Sequence, residues 1–263
     1  MPEPVSEVDS RQVVEMDALL GGRLQLRQFR KGHRAGTDAI LLAAAAPQTA
    51  GLILDAGAGT GAAGLTLLMR CPDARLDLVE IDPELANLAA ENLVLNGFAD
   101  RGRAVSADLL QARSRRAAGL SDGAASVVIT NPPYLDPAHA RVSPDASRAL
   151  AHAERLVLPG ESGGIDGWMR AVTALLAPGG TLVMIHRADR LADLLQAAEG
   201  RIGGVCVRPV QPKAGADAIR LLVTGQKGSR APLRLRPALV LHEADGAFTP
   251  LVAALHQGAP LTD

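Results

Sequence analysis

Aromatic side chains are nearly absent: three Phe, one Trp and one Tyr stand in 263 residues. A core must therefore come from Ala, Leu, Val and Ile, and hydrophobic types reach 48% of the chain, enough to build one. Cysteine is equally scarce. Cys71 and Cys206 show no paired spacing, which argues against a disulfide scaffold or a zinc site. No apolar run reaches the roughly 18 residues that a membrane span needs. The first ten residues are acidic and lack the apolar centre of a signal region. The expectation is a soluble cytoplasmic protein with no membrane partner. The formal net charge is only −1, so any contact with nucleic acid has to come from a local patch.

The length suits one large α/β domain or two small ones. Residues 1–18 are polar and acidic, with Pro2 and Pro4, and read as an unstructured lead. Leu19 to Phe29 alternates apolar and polar around Gly21-Gly22, the pattern of a small hairpin. A basic loop follows at 30–36. Thr37 then reads as an N-cap for a helix from Asp38 to Ala46, stopped by Pro47. From Gly51 onward strands and helices alternate. Apolar runs fall at 52–54, 76–81, 103–105, 126–130, 181–185, 205–210 and 218–224. Between 82 and 97 lies a helix with Asp82 as cap, Pro83 in its first turn and Gly97 at its end. Such alternation predicts parallel strands joined by crossover helices. A strand-like run at 234–241 and a helix at 249–257 close the chain. The expected divisions are an N-terminal extension at 1–48, a core at 49–226, and a strand and helix at 227–263 packed on it.

Leu52-Ile53-Leu54-Asp55-Ala56-Gly57-Ala58-Gly59-Thr60-Gly61 joins a strand to a helix through glycines that let the backbone turn and approach a ligand. Alone it also fits a dinucleotide fingerprint, with Gly57, Gly59 and Ala62 in place. Glu80 ends the next strand, about twenty positions on, where a carboxylate accepts hydrogen bonds from a ribose diol. Asp108 ends the following one. It is placed to accept from an adenine amino group, or equally to cap a short helix.

Ser126-Val127-Val128-Ile129-Thr130 is a short apolar run that ends in Asn131-Pro132-Pro133-Tyr134, where the chain's one tyrosine sits. An exocyclic amine is a poor nucleophile, because its lone pair is delocalised. Two acceptors on its N–H bonds aim that lone pair outward. The Asn131 side-chain oxygen and the Pro132 carbonyl supply them, and the prolines fix their directions. Tyr134 offers a stacking face worth about 1–3 kcal/mol. No comparable set of residues for hydride transfer stands out.

With these two motifs the chain resembles the small-domain group of S-adenosylmethionine-dependent methyltransferases. Within that group it is similar to the bacterial tRNA adenine methyltransferases that act on the 6-amino group beside the anticodon of a valine tRNA. The blocks Asp17 to Gly22, Lys31 to Ala43, Gly163 to Trp168 and Leu239 to Glu243 extend the resemblance over most of the chain. It implies a Rossmann-like α/β fold, with a seven-stranded, mostly parallel sheet and one antiparallel strand near an edge. The run at 218–224 suits that antiparallel position. It implies S-adenosylmethionine as cofactor, held by Asp55, Ala56, Gly57, Gly59, Gly61, Glu80, Ile81, Asp108 and Asn131, with Thr37 near its methionine end. It also implies that Asn131 to Tyr134 grip the target, with no metal involved.

Enzymes that methylate a glutamine amide in proteins share Asn-Pro-Pro-Tyr, so a protein or small-molecule acceptor stays open. So does a non-enzymatic RNA binder that keeps the cofactor site. The hairpin start, rather than a helical N-terminal domain, favours RNA. Between Gly21 and Gly36 stand Arg23, Arg27, Arg30, Lys31 and Arg34 with no acid among them, and Arg27, Arg30, Lys31 and Arg34 are the expected RNA contacts. Further clusters are Arg113, Arg115 and Arg116, and then Arg141, Arg148 and Arg155. Oligomeric state is open.

Overall fold

The computed structural model describes residues 13–30, 34–133 and 164–262. Its centre is a twisted sheet of β3 (Leu52–Ala56), β4 (Arg75–Glu80), β5 (Gly102–Ser106), β6 (Ala125–Thr130), β7 (Leu176–Arg187), β8 (Ile202–Lys213) and β9 (Arg220–Lys227). The strand order is β8-β9-β7-β6-β3-β4-β5. β9 runs antiparallel to both neighbours, and the other pairings within this order are parallel. The expected seven strands with one antiparallel member are therefore present. Two short strands, β10 (Arg234–Leu235) and β11 (Leu239–His242), add parallel to β8 and bring the sheet to nine.

Alternate residues of the central strands enter opposite layers. Ile53, Val127 and Ile129 face α1 (Thr37–Ala45) and α2 (Ala62–Arg70), while Leu54 and Val128 face α5 (Gly164–Leu175) and α6 (Leu191–Ala198). With both faces covered, the strands carry continuous apolar runs instead of alternating ones. α3 (Pro83–Leu95) and α4 (Ala112–Ala117) flank the β4–β5 side, and α7 (Pro250–His256) closes the chain against α1. The Asp82 side chain accepts from the Glu84 and Leu85 N–H groups, with Pro83 in the first turn, as the sequence implies.

Three local expectations are corrected. Val14–Leu19 is a strand, β1, within the stretch expected to lack structure. It pairs antiparallel with β2 (Leu24–Phe29), Val14 opposite Phe29 and Leu19 opposite Leu24. Its apolar Val14 and Met16 are exposed, while Glu15 and Asp17 turn inward, so an apolar pattern does not reveal it. The first helix begins one residue early. Gly36 occupies the cap in extended conformation, and Thr37 is the first helical residue and makes no capping bond. The run at 234–241 is broken in two around Pro237, which has no N–H to continue a ladder.

The hairpin is fastened to α3 by two asparagines one helical turn apart. Asn92 Oδ1 accepts from the Arg27 N–H at 2.7 Å, and its Nδ2 donates to the Arg27 carbonyl at 3.0 Å. Asn96 repeats this on Gln25, at 2.9 and 2.7 Å. Four residues along a helix advance about 6 Å, close to the roughly 6.7 Å of two residues along a strand, so the two spacings match. Asn92 Nδ2 also donates to the Thr60 carbonyl in the glycine turn at 2.9 Å.

Candidate active site

β3, β4 and β5 advance toward one edge of the sheet, and β6 and β7 toward the other. The crevice where that direction reverses lies between the carboxyl ends of β3 and β6, the usual ligand position in such sheets. The glycine turn leaves β3 there, and Asn131 follows β6 directly.

Three glycines of the turn have positive φ, each with its own surroundings. Gly57 has φ 72°, and a Cβ on it would stand 3.4 Å from the Trp168 ring. Gly61, at φ 90°, caps α2, and a Cβ there would meet Leu78 at 2.8 Å. Gly59, at φ 55°, would meet nothing within 4 Å, so this part of the turn opens outward. The Gly57 and Ala58 N–H groups both donate to the Val79 carbonyl, which holds the turn against β4.

Glu80 reaches back over the turn. Its Oε2 accepts from the Gly59 N–H at 2.8 Å, and its Oε1 accepts from Ile81 and Asp82. Ile81 beside it is an exposed apolar side chain at 38%. Asp108 lies at the next strand end, half-buried, accepting from the Leu110 N–H and from Gln111 Nε2. Asp55 sits behind the turn rather than at its surface: it is 2% exposed and accepts from the Gly64 N–H of α2 at 2.8 Å. Burial pushes its carboxyl up to about 7, the Glu80 charge adds to this, and the Gly64 bond opposes it. Ala56 is fully buried at the end of β3. Thr37 is at the same end of the sheet. Its neighbour Asp38 pairs with Arg220 at 2.9 Å, and Arg220 opposes Arg187, the last residue of β7.

At the acceptor side Asn131 is half-buried, Pro132 buried and Pro133 exposed. Tyr134 lies outside the described residues, as do Lys31, Arg141, Arg148 and Arg155. Two residues that the sequence reading passes over stand behind this end. Thr130 Oγ1 donates to the Ala56 carbonyl at 2.7 Å, and Trp168 Nε1 donates to Thr130 Oγ1 at 3.0 Å. The available signals are a lone Trp in a chain poor in aromatics and a Thr closing an otherwise apolar strand.

The basic segment is more paired than its sequence suggests. Arg34 bonds Glu15 and Asp17 at 2.6 Å each, so its charge is matched within the hairpin. Arg30 pairs with Glu15 at 3.3 Å and Arg27 with Glu91 at 2.8 Å, but both are largely exposed. The acids come from the facing strand and from α3, which is why the segment looks unopposed in sequence. Arg115 is buried against the Leu109 carbonyl, so only Arg113 and Arg116 of that cluster are exposed. Among the described residues no group of three or more His, Cys, Asp and Glu gathers as a metal site, and no helix is long and apolar enough to cross a membrane.

The family profile described as "Methyltransferase small domain" matches residues 31–162. A protein of Porphyromonas gingivalis named tRNA1(Val) (adenine(37)-N6)-methyltransferase is 32% identical over 237 residues, covering 87% of this chain and 89% of that one. A Streptomyces pristinaespiralis protein named 4-amino-L-phenylalanine/4-methylamino-L-phenylalanine methyltransferase is 33% identical over 177 residues, 65% of this chain and 56% of that one. Among solved structures, one from Agrobacterium tumefaciens titled a predicted O-methyltransferase superposes with a TM-score of 0.70. It is 35% identical and covers 85% of this chain and 98% of its own.

Proposed function

Because the chain belongs to the methyltransferase small-domain family, we propose that this S-adenosylmethionine-dependent N-methyltransferase acts on the 6-amino group of an adenine in tRNA. The observation that carries the reading is the placement of Asn131-Pro132 at the end of β6, beside the glycine turn at the end of β3. Glycine turn and acceptor motif thus flank one crevice.

The residues fit the cofactor. Gly59 leaves open space where a side chain would intrude, and Gly57 and Gly61 hold backbone angles that side chains resist. Glu80 and Asp108 are carboxylates held by neutral N–H donors, suited to accept from ribose hydroxyls and an adenine amine. Ile81 supplies an apolar face beside Glu80. Asp55 acts from beneath, fixing the first turn of α2. Thr37 stands at the methionine side. When bound, S-adenosylmethionine supplies an electrophilic methyl group on a sulfonium sulfur.

The protein's own part is placement. The Asn131 side-chain oxygen and the Pro132 carbonyl take one amine N–H each and turn the nitrogen lone pair toward the donor. Pro133 keeps that backbone rigid, and Tyr134 covers the base. Orientation of this kind accounts for much of the rate where no strong base is needed. An adenine gripped this way must be unpaired, as in an anticodon loop. Arg27 and Arg30 remain exposed enough to meet phosphate, with Lys31 next to them in sequence.

The two named relatives share one acceptor class, an amino group on an aromatic ring. That makes a small aryl amine the second reading. The test is label transfer from methyl-labelled donor to unmodified tRNA, 4-aminophenylalanine and a glutamine-bearing release factor in parallel. Labelled 6-methyladenosine in digested tRNA is the expected product. Label confined to either other acceptor replaces the reading.

A further inference from the structure

We propose that Trp168 and Thr130 are positioning residues that lock the glycine turn to the Asn131 end of β6. Ala56 and Thr130 are the last residues of β3 and β6 and stand opposite each other in register. The next residues, Gly57 and Asn131, begin the two halves of the site. The β3–β6 ladder ends at this pair, so a side-chain tie placed here acts on the separation of the two halves.

Thr130 provides one. Its hydroxyl donates across to the Ala56 carbonyl at 2.7 Å, and as a fully buried group it also accepts the Trp168 N–H at 3.0 Å. A hydroxyl has one proton to give and lone pairs to receive, so the first bond fixes the direction of the second. The same Trp168 lays Cζ2 and Cη2 in contact with the turn, 3.4 Å from where a Cβ on Gly57 would stand. One side chain thus touches both halves: its N–H holds the β6 end, and its ring backs the turn after β3. It rides on α5, the helix that follows the segment after Asn131-Pro132-Pro133. A shift of about 1 Å between donor and acceptor groups costs on the order of 100-fold in rate, so such a tie matters to turnover even where it leaves binding intact.

The inference rests on the methyltransferase reading, and its test separates the two. Thr130→Val keeps the shape and removes the hydroxyl, and Thr130→Ser restores it. Trp168→Phe removes the N–H and keeps a shorter ring on the Gly57 side, whereas Trp168→Ala removes both. Each variant is checked for folding by circular dichroism. S-adenosylhomocysteine affinity is then measured by calorimetry, and kcat and KM with unmodified tRNA by label transfer.

Trp168→Phe and Thr130→Val should each lower kcat by about 10–100-fold with KM little changed. Their double variant should be no slower than the worse single, because both break one chain of bonds. Thr130→Ser should return close to wild type. Trp168→Ala should weaken S-adenosylhomocysteine by about tenfold, or about 1.4 kcal/mol, and Trp168→Phe by less. Losses that multiply in the double variant, a serine that does not rescue, or Trp168→Ala with normal affinity would overturn the lock. The calorimetry needs no acceptor. A wild-type protein that labels no tRNA therefore sinks the acceptor reading, while the binding comparison still decides this one.

Discussion

The glycine turn and the N-terminal hairpin both hold clustered carboxylates, but they neutralise them differently. At the turn, Asp55, Glu80 and Asp108 accept only from uncharged N–H groups, and among the described residues none forms an ion pair. At the hairpin, Glu15 and Asp17 are spent on Arg30 and Arg34. At Glu80 and Asp108 the neutral donors leave carboxylate lone pairs for a ligand, whereas Asp55 is buried behind the turn. A carboxylate matched to a guanidinium serves the fold. The same residue types thus mark a site in one place and a clasp in the other.

If that division holds, changes at Asn131 and Glu80 should cost function, and loss of the Arg34 clasp should cost stability. The largest effect is expected at Asn131. Asn131→Ala should reduce turnover by about 10²–10³, the scale of losing one preorganised polar contact, with S-adenosylhomocysteine affinity near wild type. Single-turnover label transfer measures it, and unchanged turnover would detach Asn131 from the chemistry.

Asp55 comes next. Its folded-state carboxyl titrates near 7, whereas an unfolded Asp titrates near 3.9. The folded protein therefore holds a proton that the unfolded chain has lost between those values. The Asp55 contribution to stability should fall as pH rises from about 4 to 7, by roughly 1 kcal/mol per unit, and level off above, while His186 and His256, lowered by burial, contribute in the opposite sense. Asp55→Asn should flatten that slope in urea titrations run at several pH values. A slope unaltered by the substitution would place the proton elsewhere.

Glu80→Ala should weaken S-adenosylhomocysteine by about 1.5–3 kcal/mol, the range for hydrogen bonds to a charged group. Calorimetry reads this directly, and undiminished affinity would remove Glu80 from the cofactor site. The smallest effect on function belongs to Arg34. Arg34→Ala should lower thermal stability, yet leave the salt dependence of tRNA binding as it was. Arg30→Ala should flatten that dependence by roughly one unit of log-log slope. A flattened slope in Arg34→Ala would return that residue to the RNA surface.

What was legible in the sequence was local. Runs such as Leu52 to Leu54 and Ser126 to Thr130 reveal their strands because both faces are buried, and the glycines announce a turn within a few positions. Asp82 and Pro83 announce the start of α3 in the same way. What was hidden depends on partners distant in the chain. Arg34 finds its acids 17 and 19 residues back across the hairpin. Trp168 meets Thr130 at a separation of 38. β1 escapes notice because its inward residues are held by charge and register rather than by apolar burial.

The two asparagines of α3 have a consequence for how the chain keeps to itself. A two-stranded ribbon normally presents rows of N–H and C=O groups that invite another strand and, through it, aggregation. On β2 the amides of Asn92 and Asn96 occupy the places of Arg27 and Gln25's missing partners, as a neighbouring strand would. They belong to a helix, so no further edge is created for the next chain to extend. α3 thus works as a terminator on the β2 edge of the ribbon, filling by side-chain mimicry the place where another strand could add.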